Sequence, residues 1–195
     1  FCNQFIEEIA PLNPIIVSGL AYGVDIAVQK AAMDHGLQTI ACMAHGLNQI
    51  YPKAHSKYKS KIEGNGGFMT EFWSTSQPNR ENFLKRNRII AGISEATIVI
   101  ESAEKGGSLV TADLAHGYHR EVFAVPGRAT DKWSKGCNDL IKYQKAHLLT
   151  SAAELIYLLG WEIEEEKQEK AVQKQLFIEL DETEQSIYSY LQLNG

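Results

Sequence analysis

The feature that most constrains this chain is one stretch, Phe83 to Ala112, FLKRNRIIAGISEATIVIESAEKGGSLVTA. It opens with a basic segment carrying one aromatic and continues into an unbroken apolar run, Thr97 to Ile100. It ends in a glycine-rich turn, Gly106-Gly107-Ser108, that leads into a helical pattern. Strand, glycine turn and helix N-terminus are how α/β proteins build an anion site. The turn leaves backbone N–H groups free, and the helix dipole adds partial positive charge where an anion would sit. Lys85, Arg86 and Arg88 offer cations to the same kind of ligand. The stretch implies a binder of a phosphate backbone rather than a catalyst.

The rest of the chain repeats this grammar. Phe5, Ile6 and Ile9 mark a short amphipathic helix from Phe1 to Ala10, ending at Pro11. Ile15-Ile16-Val17 is too apolar for a sheet with one wet face, which favours a parallel sheet covered on both sides. It runs into Ser18-Gly19-Leu20-Ala21-Tyr22-Gly23-Val24-Asp25, then a helix from about Gly23 to His35 that stops at Gly36. Further strands are expected at Thr39 to Met43, Phe68 to Thr70, Val122 to Val125 and His147 to Leu149. An exposed, lysine-rich helix is expected over Lys53 to Ile62, behind Pro52. Others are expected over Leu109 to Tyr118, Asn138 to Tyr143 and Ala152 to Leu159, the last capped by Ser151. Such alternation over about 150 residues predicts an α/β fold with a doubly wound, mostly parallel sheet. Ligands in that fold sit beyond the carboxyl ends of the strands, where every candidate motif here falls.

Composition narrows the class. At 195 residues, 44% hydrophobic and 22% charged, the chain reads as an ordinary globular protein. No apolar run approaches the roughly 20 residues of a membrane helix, and no signal peptide opens the chain. A start at Phe1 rather than Met predicts a piece of a longer protein. Cys2, Cys42 and Cys137 are odd in number and lack metal or redox spacing, so thiols in a reducing cytoplasm are expected. The net charge of -5 argues against a nucleic-acid partner only as an average. Glu162 to Glu169 alone holds five glutamates, leaving the preceding part near neutral and locally basic. The expected organisation is an α/β domain over 1–161, a charged linker over 162–175 and the start of a further domain over 176–195. There, Ile178, Leu180, Ile187, Tyr190 and Leu191 suggest an amphipathic helix after an Asp181 or Thr183 cap.

Each candidate has a bland alternative. The turn at Gly106-Gly107 could serve helix packing alone, but Ser108 and Thr111 add hydroxyl donors to the first turn. It lacks a P-loop lysine, which removes NTP hydrolysis. Ser18-Gly19, with Gly23 and Asp25, misses the dinucleotide-binding spacing but offers a second set of backbone donors. Arg80, Lys85, Arg86 and Arg88 could be a solvated helix face. Against that, Arg86 and Asn87 are placed at the start of an otherwise apolar helix, and Phe83 could stack on a base. Asp113, His116 and His119 recur every three residues without a further ligand, so surface histidines and no metal are expected. No nucleophilic set emerges. Glu71 and Glu101, each ending a strand, could act as acid or base, or hold the arginines.

Ser18 to Asp25, Phe83 to Gly92, Gly106 to Ala112, Pro126-Gly127 and Gly136 to Ile141 occur in this order. Over Pro14 to Trp161 the chain closely resembles the DNA-processing protein A (DprA/Smf) family. The resemblance implies an extended Rossmann fold without enzymatic activity or cofactor. It implies a cytoplasmic homodimer that binds single-stranded DNA, protects it during natural transformation and loads RecA recombinase on it. By position it implies Arg80 and Arg86 on phosphates and Phe83 against a base. Backbone or hydroxyl contacts would come from Ser18, Gly19, Gly106, Gly107, Ser108 and Thr111, with Asn87 and Arg88 in the same patch. The family's first strand and its glycine-serine-arginine turn are expected before Phe1. Lys145 stands where the family has a glycine, which predicts a different local turn. The helix from Asp181 looks like the start of a winged-helix domain. The rival from another class is a lysine-decarboxylase-like phosphoribohydrolase with Glu71 or Glu101 as its acid. A NAD-binding domain is disfavoured by the glycine spacing.

Overall fold

The computed structural model describes residues 1–161 and 181–194. The chain divides into two units, Phe1–Ile163 and Glu164–Gly195.

In the first unit, helices and strands alternate. α1 (Cys2–Ile9) leads through a 3-10 turn (Ala10–Leu12) to β1 (Ile16–Ser18), α2 (Val24–Asp34) and β2 (Thr39–Cys42). A 3-10 segment (Lys53–Tyr58) continues into α3 (Lys59–Gly64), followed by β3 (Gly66–Met69), α4 (Arg80–Ile93) and β4 (Ala96–Val99). Then come α5 (Gly107–Gly117), β5 (Glu121–Ala124), α6 (Lys135–Lys142), β6 (His147–Leu148) and α7 (Ala152–Leu159). Every ladder is parallel, as the apolar strands predict. The strands form two three-stranded sheets, β1-β2-β3 and β4-β5-β6, rather than one continuous sheet. β1 is three residues long, and all three pair with β2. One apolar cluster nevertheless packs against both sheets, and each sheet has a further cluster of its own. Ile16 of β1 and Ala96 and Ile98 of β4 pack on the same buried group, which includes Phe5, Ile6, Ile9, Phe123, Leu149 and Leu155. α1 buries the three residues its periodicity marks, Phe5, Ile6 and Ile9.

Three boundaries differ from expectation for physical reasons. Lys53 to Ile62 is not one exposed helix: its first half winds as a 3-10 segment, and His55 and Ile62 turn inward. β3 begins at Gly66, two residues before the strand expected from Phe68, and Gly66 and Gly67 pair with Thr39 and Ile40. Gly66 holds φ 147°, and a Cβ there would strike the Thr39 carbonyl, so only glycine allows this approach. α4 begins at Arg80, because Asn79 Oδ1 accepts from the Asn82 N–H at 2.8 Å. Arg86 therefore lies mid-helix rather than at its start. After α6, Gln144 takes φ 56°, and the Lys145 N–H donates to the Leu140 carbonyl at 2.9 Å. The turn closes without glycine at Lys145, whose Nζ pairs with Asp113 at 3.0 Å.

Ser151 caps α7 as expected: its Oγ accepts from the Glu154 N–H, while the Glu154 carboxylate accepts from the Thr150 N–H at 2.7 Å. The Thr150 N–H first, and then the Thr150 hydroxyl at 2.9 Å, hold the Glu154 carboxyl below its ordinary pKa. In the second unit, α8 (Glu182–Asn194) starts behind Asp181, whose Oδ1 accepts from the N–H groups of Thr183 and Glu184 at 2.8 Å each. The expected linker over 162–175, together with Ile178 and Leu180, lies outside the described residues. No helix among the described residues is long and apolar enough to cross a membrane.

Candidate nucleic-acid interface

α4 ties the carboxyl ends of the two sheets together. Arg86 is 3% exposed, and its Nη1 donates to the Gly19 carbonyl at 3.0 Å and to the Cys42 carbonyl. Those carbonyls lie just past β1 and at the end of β2. Its Nε donates to Asn87 Oδ1 at 3.3 Å, and Asn87 Nδ2 donates to the Gly107 carbonyl at 3.3 Å, in the first turn of α5. Burial pulls the Arg86 pKa down from its ordinary value, and the nearby Asp25 charge opposes that fall. Gly19 is glycine for a direct reason: a Cβ there would occupy the space of the guanidinium. Burial also pushes the Cys42 thiol up to about 11, against the pull of Arg86.

The two strand–turn–helix junctions differ. At Ser18–Asp25, the Gly19 and Ala21 N–H groups both donate to Asp25 Oδ2, at 3.1 and 3.2 Å. The backbone donors expected there for an outside anion already have an internal one. At Gly106–Thr111, the N–H groups of Gly107 and Ser108 have no partner among the described residues. Gly107 is exposed, while Thr111 is buried at 9%. Ser102 Oγ lies where a Cβ on Gly106 would fall. The Ser102 carbonyl accepts from the Gly136 N–H at 2.8 Å, fixing the loop from below. Asn138 clamps the Pro126-Gly127 turn, exchanging two 3.1 Å bonds with the Gly127 backbone.

Along α4, Arg80, Phe83 and Asn87 recur at helical spacing on one face. Arg80 is exposed and has no ion-pair partner among the described residues. The Phe83 ring is partly buried, with the Arg86 guanidinium 5.7 Å from its centroid. Lys85 and Arg88 are exposed, unlike Arg86, so the basic run does not act as one patch. Arg88 is bound by the Glu71 carboxylate, one of the two roles considered for Glu71. Glu101 is exposed at the end of β4. Ser18, 8% exposed, closes β1 beside Gly19. Asp113 is taken by Lys145, and His119 leaves the helix at φ 55°, so these two do not join His116 as one ligand set.

The sequence reading missed what Asp25, His45 and His55 do. Asp25 sits in the first turn of α2, where an acidic side chain commonly caps, and that position was its one signal. His45 and His55 are buried at 1% and 6%, and each bonds a loop backbone near the site. Nothing in their spacing announces this.

The model of the DNA recombination-mediator protein A family matches residues 1–160. The chain belongs to that family. It is 40% identical over 142 residues to the DNA processing protein DprA of Streptococcus pneumoniae, covering 73% of this chain and 50% of that protein. It is 41% identical over 153 residues to Protein Smf of Escherichia coli, covering 78% of this chain and 41% of that one. The chain thus spans half or less of these curated relatives. The X-ray structure of the Streptococcus pneumoniae protein superposes with TM-score 0.71 at 36% identity, covering 80% of this chain and 56% of that one. The DNA processing protein A of Helicobacter pylori, whose structure concerns its single-stranded DNA binding mode, superposes with TM-score 0.73 at 31% identity. That match covers 81% of this chain and 71% of the other. The family and the α/β fold with parallel sheets are those expected from the motifs.

Proposed function

We propose that the chain binds single-stranded DNA without sequence preference across the carboxyl ends of its strands. The observation that carries this reading is the double tether of α4. Arg86 holds the ends of β1 and β2, and Asn87 holds the start of α5. In this reading Arg80, Phe83 and the open amides of Gly107 and Ser108 share one rim. Arg80 meets phosphates, Phe83 stacks on a base, and Gly106, Gly107, Ser108 and Thr111 supply amide and hydroxyl donors. Ser18, Gly19 and Asn87 frame the groove, Arg88 lies at its outer edge, and Arg86 presents its one uncommitted amino group from below. Such a site needs no bond-breaking group. The named binding mode of the Helicobacter pylori relative supports the reading.

The wider role follows the family: a cytoplasmic, non-enzymatic homodimer that passes the strand to RecA recombinase during DNA uptake and recombination. Residues 1–161 form the binding domain, 162–175 the linker, and 176–195 the beginning of a winged-helix-like domain.

The test is a salt-dependent titration with single- and double-stranded oligonucleotides. Affinity for the single strand falls linearly on a log–log plot as salt rises. Arg80→Ala lowers affinity and reduces the magnitude of that slope by about 0.7, the value for one single-strand phosphate. Phe83→Ala costs about 1–3 kcal/mol of binding if a base stacks there. Unchanged dissociation constants for both variants would remove the site.

A further inference from the structure

The rim continues past Phe83. The ring of Tyr51 meets that of Phe83 edge-on, with centroids 6.1 Å apart and planes at 63°. Tyr51 is nevertheless 46% exposed. Its N–H donates to Nε2 of His45 at 3.2 Å, which places the ring proton of His45 on Nδ1, 2.8 Å from the Gly46 carbonyl. A buried histidine thus anchors the backbone that carries an exposed ring.

The same device occurs again nearby. Tyr22 is 69% exposed and stands edge-on to buried His55, centroids 4.9 Å apart at 70°. Nδ1 of His55 lies 2.8 Å from the Leu20 carbonyl, next along the chain from Gly19, which Arg86 touches. Phe83, Tyr51 and Tyr22 are therefore linked to Arg86 by a short series of contacts.

Charge accompanies the rings. The 3-10 segment that follows Tyr51 carries Lys53 and Lys57, both exposed and without a carboxylate partner among the described residues. By contrast, Lys59 pairs with Glu63 at 3.3 Å and Lys61 with Asp34 at 3.7 Å. Lys57 Nζ lies over the Tyr58 ring, 5.1 Å from its centroid, and its charge stays free of any carboxylate among the described residues. Exposed rings beside lysines that no described carboxylate neutralises, continuous with a stacking phenylalanine, have the chemistry of a longer single-strand track.

We propose that Tyr51 and Tyr22 extend the Phe83 stacking surface and take further bases of the same strand, with Lys53 and Lys57 on its phosphates. This rests on the single-strand reading above, and it assigns a direction to the strand's path, from α4 across the Tyr51 loop toward the 3-10 segment.

The experiment titrates the full chain with oligodeoxythymidylates of increasing length, read by fluorescence anisotropy. Tyr22→Ala and Tyr51→Ala each weaken binding of the long oligomers, by about 5- to 150-fold per base lost. They leave the shortest binding oligomer nearly unaffected, and Tyr51→Phe restores the long-oligomer affinity. Lys53→Ala with Lys57→Ala reduces the magnitude of the salt slope by about 1.4, two phosphates at about 0.7 each. Because Tyr51 touches Phe83, equal weakening at all lengths in Tyr51→Ala would mean it only props that ring, and would overturn its part. The Tyr22 ring packs against His55 rather than in the Tyr51–Phe83 ring pair, so an unchanged length dependence in Tyr22→Ala would overturn the track itself. If Phe83→Ala still weakens binding in that case, the single-strand reading survives and this extension alone falls. If the unaltered chain binds no single strand, both fall.

Discussion

The junctions after β1 and after β4 follow the same pattern, a strand, a glycine turn and a helix N-terminus, yet they end in opposite states. After β1, the Gly19 and Ala21 amides close on Asp25 Oδ2, and the Arg86 guanidinium lies against Gly19. After β4, the Gly107 and Ser108 amides have no such partner, and a Cβ on Gly107 would meet nothing within 4 Å. One junction has swallowed its anion as a side chain, and the other leaves the position open. The first braces the sheet ends, and the second is free to serve as a site. A glycine turn and a helix dipole are common to both, so they do not by themselves make a ligand site. What separates the two is whether a carboxylate four to six residues on reaches back.

The largest effect belongs to the brace. Arg86→Ala leaves the Gly19 and Cys42 carbonyls without their charged donor and Asp25 without its neighbouring cation, a loss on the order of 3 kcal/mol. Urea unfolding should show the midpoint falling accordingly. Arg86→Lys should not restore it, because one ammonium cannot copy a planar donor reaching several acceptors. A full-stability Arg86→Ala would erase the distinction between the two junctions.

Much of this was legible in the sequence, and the gaps have causes. The strands could be read because Ile16-Val17 and Thr97 to Val99 are apolar runs that only a covered parallel sheet accommodates. The open junction could be read because Gly106-Gly107-Ser108 is a local feature. Arg86 was placed on the rim by its charge, its place before an apolar helical run and the family resemblance; its burial depends on Gly19, 67 residues away, having no side chain. Asp25 was grouped with the turn, but that it satisfies the turn's own donors is a matter of three-dimensional geometry. His45 and His55 were passed over because a single histidine carries no periodicity.

The next effect is chemical and depends on pH. The Cys42 thiol, whose carbonyl Arg86 holds, is fully buried and pushed from about 9 up to about 11. Between those values the unfolded chain has lost this proton while the folded chain keeps it, so alkali favours unfolding. The contribution is fully present below about pH 9 and lost by about pH 11. It amounts to about 2–3 kcal/mol, at about 1.4 per unit. Subtracting the stability–pH curve of Cys42→Ala from that of the unaltered chain isolates it. Parallel curves across this window would show that the region under Arg86 is wet.

Gly19→Ala comes third, because its Cβ must displace the guanidinium, at about 1–3 kcal/mol. The double variant with Arg86→Ala sharpens the point. With the guanidinium gone the methyl has room, so the two costs should sum to more than the double variant loses. Strict additivity in chemical denaturation would mean that Gly19 is constrained by something other than Arg86.

The smallest effect has the opposite sign. Gly107→Ala adds its methyl to open space at the first position of α5 and removes glycine's freedom from the unfolded chain. Stability should therefore rise, by about 0.4–1 kcal/mol. The same methyl stands where a phosphate would approach the free amides, so affinity for a single strand should fall while the melting temperature increases. A protein that gains stability and loses binding at Gly107, but loses stability at Gly19, separates the open junction from the closed one in two measurements. A Gly107→Ala variant that binds as tightly as before would place the strand elsewhere on the rim and leave α5 a structural helix.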